Sequence, residues 1–198
     1  MKWEKFTPVQ NKTIPAIMES TKDVIVSSGT ASGKTEAAFL PILSLIEEGA
    51  ETQLKVLYIS PLKALINNQF ERIEKLCEHS HIPIHKWHGD VSQSRKNKFI
   101  KNPGGILQIT PESVESLFIN RTEHIRHLFK GLEFIVIDEI HSFIDTERGV
   151  QLRSLMSRIE QYTEQRPRII GLSATIDNFN LVKQWVNYRD SDNVEIIE

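Results

Sequence analysis

Six stretches rich in β-branched and other apolar residues recur along the chain, at Asp23 to Ser27, Lys55 to Ile59, Ile84 to Trp87, Ile106 to Ile109, Leu132 to Ile137 and Arg168 to Leu172. Most are continuous rather than alternating, and a continuous run needs cover on both faces. The segments between them carry helical periodicity. The pattern therefore predicts an α/β fold, a mostly parallel sheet with helices on both faces. Ser60 is expected to cap a helix whose first residue is Pro61 and whose core stripe is Leu62, Leu65, Ile66, Phe70, Ile73 and Leu76. Thr110-Pro111 opens another, with Val114, Leu117 and Phe118 inward, and Pro103-Gly104-Gly105 reads as a turn. In open α/β sheets ligands gather at the carboxyl ends of strands, so the loops at Ser28, Ser60, Thr110, Asp138 and Ser173 should share one edge.

Directly after Val24-Ile25-Val26 stands Ser28-Gly29-Thr30-Ala31-Ser32-Gly33-Lys34-Thr35. A tight loop running into a helix N-terminus turns backbone N–H groups toward an anion, and the helix dipole favours negative charge there. All eight residues are candidates for binding ATP. Lys34 would place a point charge on the β and γ phosphates, and the Thr35 hydroxyl would join a Mg²⁺ shell shared with phosphate oxygens and water. Ser28 departs from the G-x-x-x-x-G-K-[ST] pattern at its first position, while Gly33-Lys34-Thr35 and the loop spacing are kept.

The length of 198 residues, with 39% hydrophobic and 25% charged residues, suits one α/β domain with a sizeable core. A net charge of -2 offers no global basic field, so contact with nucleic acid must use local patches or backbone groups. Cys77 is the single cysteine and is read as a core or boundary thiol. With no internal disulfide to form, no signal-like start and no long apolar run, the expectation is a cytoplasmic protein without a membrane partner.

Phe134-Ile135-Val136-Ile137 leads into Asp138-Glu139-Ile140-His141, two adjacent carboxylates just beyond a buried strand. Taken alone, the pair is equally an acidic helix start favoured by the dipole. In company with the Gly-Lys-Thr loop, Asp138 is a candidate Mg²⁺ ligand through water and Glu139 a candidate base for the water attacking the γ phosphate. Asp138 to His141 form a DExH box, and Ser173-Ala174-Thr175 is an SAT motif downstream of it. Thr7-Pro8-Val9-Gln10 looks like a Q motif, Ser60 to Leu65 like motif Ia and Thr110-Pro111-Glu112-Ser113 like motif Ib.

These motifs, in this order and across nearly the whole chain, resemble the first RecA-like, P-loop NTPase domain of a superfamily 2 DEAD/DExH-box helicase. Trp87-His88-Gly89-Asp90, Asn102-Pro103 and Glu147-Arg148-Gly149-Val150-Gln151-Leu152 are most similar to the large helicase-related (Lhr) type. The resemblance implies that Gln10 reads the adenine edge; either Phe6 or Trp3 is the aromatic that stacks on adenine, or stacking is absent. It implies that His141, Ser173, Ala174 and Thr175 couple hydrolysis to strand movement. It also sets Pro61, Leu62, Lys63, Gly89, Asp90, Thr110, Pro111 and Glu112 against the backbone of single- or double-stranded DNA or RNA. Helix starts at Ser60 and Thr110 suit that role, because backbone N–H groups and hydroxyls bind phosphates without reading bases. Lys86, Arg95, Lys96, Lys98 and Lys101 form a basic cluster that is either a solvated helix face or a secondary strand contact.

Members of this superfamily work with a second RecA-like domain carrying arginine fingers, and no Gln-x-x-Gly-Arg-x-Gly-Arg pattern occurs before Glu198. Residues 1–198 are thus expected to be one ATP-binding domain whose second RecA-like partner lies outside this chain. The expected function is the ATP-binding motor of an ATP-dependent helicase or translocase. A nucleotide-gated binding or scaffold module is the alternative, and a transporter-type ATPase ranks last because no matching signature is present.

Overall fold

The computed structural model describes residues 5–29, 31–46 and 48–198. Its elements alternate: α1 (Pro8–Met18), β1 (Asp23–Ser27), α2 (Lys34–Leu45), β2 (Leu54–Ile59), α3 (Lys63–Leu76), β3 (Ile84–Trp87), α4 (Gln93–Lys101) and β4 (Gly105–Ile109). There follow α5 (Pro111–Asn120), α6 (Ile125–Phe129), β5 (Phe134–Ile137), α7 (Glu147–Glu160), β6 (Arg168–Ser173), α8 (Phe179–Val186) and β7 (Val194–Ile197). The strands form one seven-stranded sheet in the order β3-β4-β2-β5-β6-β1-β7. Every pairing is parallel.

Helices cover both faces, as the continuous apolar runs require. On one side α1, α2 and α3 bury Val9, Ile17, Phe39, Ile42 and Ile73 against Val24, Val26, Val56, Tyr58 and Val136. On the other, α4 to α8 bury Phe99, Val114, Leu117, Phe129, Leu152, Ile159 and Trp185 against Ile25, Leu57, Leu107, Ile135 and Ile137. Cys77 is buried and free, and burial pushes its thiol up to about 11, so it stays protonated and unreactive at neutral pH. Among the described residues no helix is long and apolar enough to cross a membrane.

All six expected strands are present, and β7 is an addition at the sheet edge beside β1. The helix after β2 needs correcting. It starts at Lys63 with Leu62 in the capping position, and Ser60 gives it no cap. The Ser60 N–H instead donates to Ile109 O at 3.0 Å and its hydroxyl to Leu62 O at 3.4 Å, which holds Ser60-Pro61-Leu62 as an extended loop. Leu62 is 58% exposed rather than core, and within α3 only Ile66 and Ile73 of the expected stripe are fully buried. The second helix start forms as expected, with Thr110 Oγ1 accepting from Ser113 N and Pro111 opening α5. Gly105 belongs to β4 at φ 61°, where a Cβ would fall 1.9 Å from Pro83 O.

At the opposite end of β1, Asp23 is fully buried with both oxygens engaged. Arg166 donates to them at 3.0 and 2.8 Å, the Ile169 N–H adds a bond of 2.8 Å and Asn187 Nδ2 one of 3.1 Å. These bonds tie β1 to β6 and to the segment after α8. Asp23→Ala would strand the partly buried Arg166 and an orphaned strand N–H, and a loss of about 3 kcal/mol is expected in urea denaturation, at the lower end for a broken buried pair.

Candidate active site

Because every strand runs the same way, the loops after β1, β2, β4, β5 and β6 emerge on one edge. Hydrogen bonds stitch them together: Ser28 N–H to Ser173 O at 3.1 Å, Ser60 N–H to Ile109 O at 3.0 Å, and Asp138 N–H to Ile59 O at 2.8 Å.

The loop after β1 closes onto α2 through Gly33 at φ 89°. A Cβ there would lie 2.7 Å from Gln10 Nε2, so glycine is needed both for the left-handed turn and for the approach of Gln10. Lys34 Nζ folds back to donate to Ser28 O at 2.5 Å and Gly29 O at 3.2 Å. Burial lowers its pKa, and nearby Arg72 lowers it further, while Glu139 and Asp138 pull it back up. Thr35 is buried at the start of α2. Ala31 takes a left-handed φ of 61°. Thr30 lies outside the described residues, as does Trp3.

Gln10 sits in α1, whose start is a capping box: Thr7 N–H donates to Gln10 Oε1 at 3.0 Å and Gln10 N–H to Thr7 Oγ1 at 3.4 Å. Thr7 Oγ1 also donates to Ser32 O at 3.1 Å, clasping the helix to the loop. The cap takes one lone pair of the amide oxygen, and Nε2 of the fully buried Gln10 has no partner among the described residues. Phe6 is 51% exposed beside this cap.

The carboxylates follow β5. Asp138 is buried, which raises its pKa, as does the charge of Glu139; hydrogen bonds from Tyr58 and the Glu139 N–H oppose the shift. Glu139 takes a left-handed backbone, φ 47° and ψ 47°, at the start of a 3₁₀ turn over Ile140–Ser142. His141 Nδ1 lies 2.9 Å from Ser173 Oγ and 3.5 Å from Glu139 Oε2, and Ser173 Oγ donates to Thr175 O at 2.6 Å. The DExH and SAT segments are therefore in direct contact through His141 and Ser173; Ala174 is half-buried and Thr175 exposed.

Among the described residues no group of three or more His, Cys, Asp or Glu side chains gathers as a metal cage. The donor set at hand is the Thr35 hydroxyl and the Asp138 carboxylate. That fits Mg²⁺, which keeps several waters and takes one or two protein oxygens alongside substrate phosphates.

Beside the loops lies a shallow groove of about 330 Å³ lined by Pro61, Leu62, Lys63, His88, Gly89, Thr110, Glu112, Ser113 and Arg148. Pro111 is buried below it as the first residue of α5. Lys63 Nζ donates to Asp90 Oδ2 at 2.9 Å, which holds the Asp90 carboxyl below its usual range and offsets its charge on this face. Lys86 Nζ donates to Asn67 and sits 4.8 Å over Phe70, while Arg95, Lys98 and Lys101 are exposed along α4.

Three arrangements were not read from the sequence. Tyr58 OH donates to Asp138 Oδ2 at 2.6 Å. Arg72 of α3 holds the buried Glu36 through two hydrogen bonds. Arg148 donates to Pro61 O and Glu112 Oε1, both at 2.9 Å, and so clamps the loops after β2 and β4 to each other. The available signal was a tyrosine inside an apolar strand and a carboxylate on a buried helix face, each of which needs a partner.

The family model for DEAD/DEAH box helicase matches residues 7–182. The chain is 36% identical over 212 aligned positions to the ATP-dependent helicase Lhr-Core of Sulfolobus acidocaldarius, covering 100% of this chain and 24% of that protein. It is 35% identical to the Lhr-Core of Saccharolobus solfataricus, with 96% of this chain and 23% of that one covered. The chain thus spans about a quarter of the length of these relatives. A solved structure of Mycobacterium smegmatis helicase Lhr, bound to ssDNA and AMP-PNP, superposes with a TM-score of 0.84 at 28% identity over 98% of this chain and 26% of that one. The DEAD-box helicase Mss116, bound to ssRNA and UDP-BeF, reaches 0.83 at 20% identity over 100% of this chain and 41% of that one, a likeness of fold. The expected RecA-like architecture and the Lhr-like resemblance are both borne out, and with the family match extending over most of its length the chain belongs to the DEAD/DEAH box helicase family.

Proposed function

We propose that this chain is the ATP-binding motor domain of an ATP-dependent nucleic-acid helicase or translocase, the first of two RecA-like domains, working in the cytoplasm. The observation that carries this reading is the junction at Ser173. Its backbone oxygen accepts from the nucleotide loop at Ser28, its hydroxyl touches His141 of the carboxylate segment, and the groove after β2 and β4 opens on the same edge. The relatives' length, about four times that of the chain, supports a second domain elsewhere in the full protein.

In this reading the backbone N–H groups of the loop and of the first turn of α2 cradle the phosphates. Lys34 turns from its loop carbonyls to the β and γ phosphates, and Gln10 presents Nε2 to the adenine edge with Phe6 nearby. Thr35 and Asp138 would hold Mg²⁺, which would neutralise charge that develops on phosphoryl transfer. Glu139 orients and deprotonates the attacking water. His141 and Ser173 pass the change at Glu139 to the SAT segment, while Lys63, Gly89, Thr110 and Arg148 hold successive phosphates of a strand without reading its bases. One structural relative is bound to ssDNA and another to ssRNA; the shared sugar-phosphate strand is the ligand proposed here.

The test is hydrolysis of Mg-ATP by this 198-residue chain with and without single-stranded DNA or RNA. Binding should be retained and turnover should fall short of the two-domain protein by about 10³ to 10⁵, the contribution of an arginine finger. Lys34→Ala should abolish binding. Robust strand-stimulated turnover by this chain alone would remove the two-domain account, and nucleotide binding indifferent to strands in the full protein would favour a scaffold.

In the full-length protein, Glu139→Gln should leave Mg-ATP affinity near wild type while cutting turnover by about 10² to 10⁴, measured by phosphate release. Ser173→Ala, which removes the hydroxyl between His141 and Thr175, should keep much of the strand-stimulated hydrolysis and lose most unwinding; parallel loss of both would place Ser173 in the chemistry instead.

A further inference from the structure

We propose that Tyr58 is a positioning residue that fixes the Asp138 carboxylate for holding a divalent cation, an inference that rests on the ATP site proposed above. The sheet register makes the contact possible. Tyr58 of β2 pairs with Val136 of β5, and Asp138 lies two residues beyond Val136 on the same face. Such diagonal neighbours are about 7–8 Å apart, a gap that a long aromatic side chain crosses and a valine or serine does not. The Tyr58 hydroxyl reaches Asp138 Oδ2 at 2.6 Å. The opposite oxygen, Oδ1, accepts the Glu139 N–H at 3.1 Å. Donors from β2 and from the turn after β5 thus grip the carboxylate at both oxygens and fix the direction of its remaining lone pairs.

Tyr58 cannot swing away. Its side chain is fully buried, and its ring packs against Phe39 of α2 with centroids 5.8 Å apart and planes tilted by 44°. Being enclosed, it cannot touch phosphate or water in the site, so any influence it has passes through Asp138. Mg²⁺ demands near-ideal octahedral geometry, which makes the direction of a carboxylate matter more than it would for a softer cation. Removing an outer partner of a metal-holding group typically costs 10- to 100-fold in metal affinity or activity.

The experiment titrates a fluorescent ATP analogue onto the 198-residue chain and onto Tyr58→Phe, in EDTA and at stepped Mg²⁺, with urea denaturation alongside. The expected result is equal nucleotide affinity in EDTA and a half-saturating Mg²⁺ concentration raised about tenfold in Tyr58→Phe. Asp138→Asn should raise it as well, and the double variant little further. A wild-type Mg²⁺ response in Tyr58→Phe beside a shifted Asp138→Asn would overturn the role of Tyr58. Equal weakening in EDTA and in Mg²⁺ would make Tyr58 a packing residue alone and overturn it too. If Asp138→Asn leaves the Mg²⁺ response unaltered, the assignment of Asp138 to the cation fails, and this inference falls with it.

Discussion

A parallel strand cannot be reached by a tight hairpin; the chain must first cross back over the sheet, here mostly through a helix. Applied to seven strands, that constraint delivers the six loops after β1 to β6 to one edge and leaves the opposite edge to structural work. The division is visible in the polar groups. At the working edge Lys34, Asp138 and Glu139 carry charge close to one another, whereas at the far edge Asp23 is closed off by Arg166, Ile169 and Asn187. The same apolar layers hold both ends, so the site needs no scaffold of its own.

Within that frame, the loop proposed to hold nucleotide and the groove proposed to hold a strand open on the same edge. The loop after β2 begins one residue past the strand that carries Tyr58, and the loop after β4 is pinned to it through Ser60 and Ile109. Arg148, from the start of α7 just after the carboxylate turn, reaches across to both. Gly149 makes this possible, since a Cβ there would fall 1.7 Å from Phe143 O. The coupling proposed between hydrolysis and strand grip would run along these contacts, each a few bonds long.

The strands and the motif loops were legible because each is declared by a contiguous run of residues. Val24-Ile25-Val26 before Gly33-Lys34-Thr35, or Thr110-Pro111 capping α5, is local chemistry and survives folding unchanged. β7 was not legible: Val194–Ile197 is four residues, partly exposed, and its strand character comes from pairing with β1. The start of α3 misled because Ser60-Pro61 carries a helix-start signal, yet the Ser60 N–H donates across the sheet to Ile109 O and its hydroxyl to the nearby Leu62 O, which keeps Ser60 out of the helix. The pairs Tyr58–Asp138, Arg72–Glu36 and Arg148–Pro61 join residues 80, 36 and 87 positions apart, and only the register of the sheet and the packing of the helices bring them together. The Gln10 amide shows the finer limit, because the type of residue was legible while the cap that engages its oxygen was not.

In a strand, neighbouring side chains point to opposite faces, so two consecutive carboxylates cannot serve one site until the chain turns. The left-handed backbone of Glu139 makes that turn immediately after Asp138, and both carboxylates come to bear on Lys34. A side chain held there costs on the order of 1–3 kcal/mol, which glycine would escape. Selection for a sturdier fold alone would drift toward glycine at 139. If Glu139 is the base proposed above, its carboxylate marks a position where the domain gives up robustness to keep its reactivity, and engineers raising its heat tolerance should look for gains elsewhere in the chain.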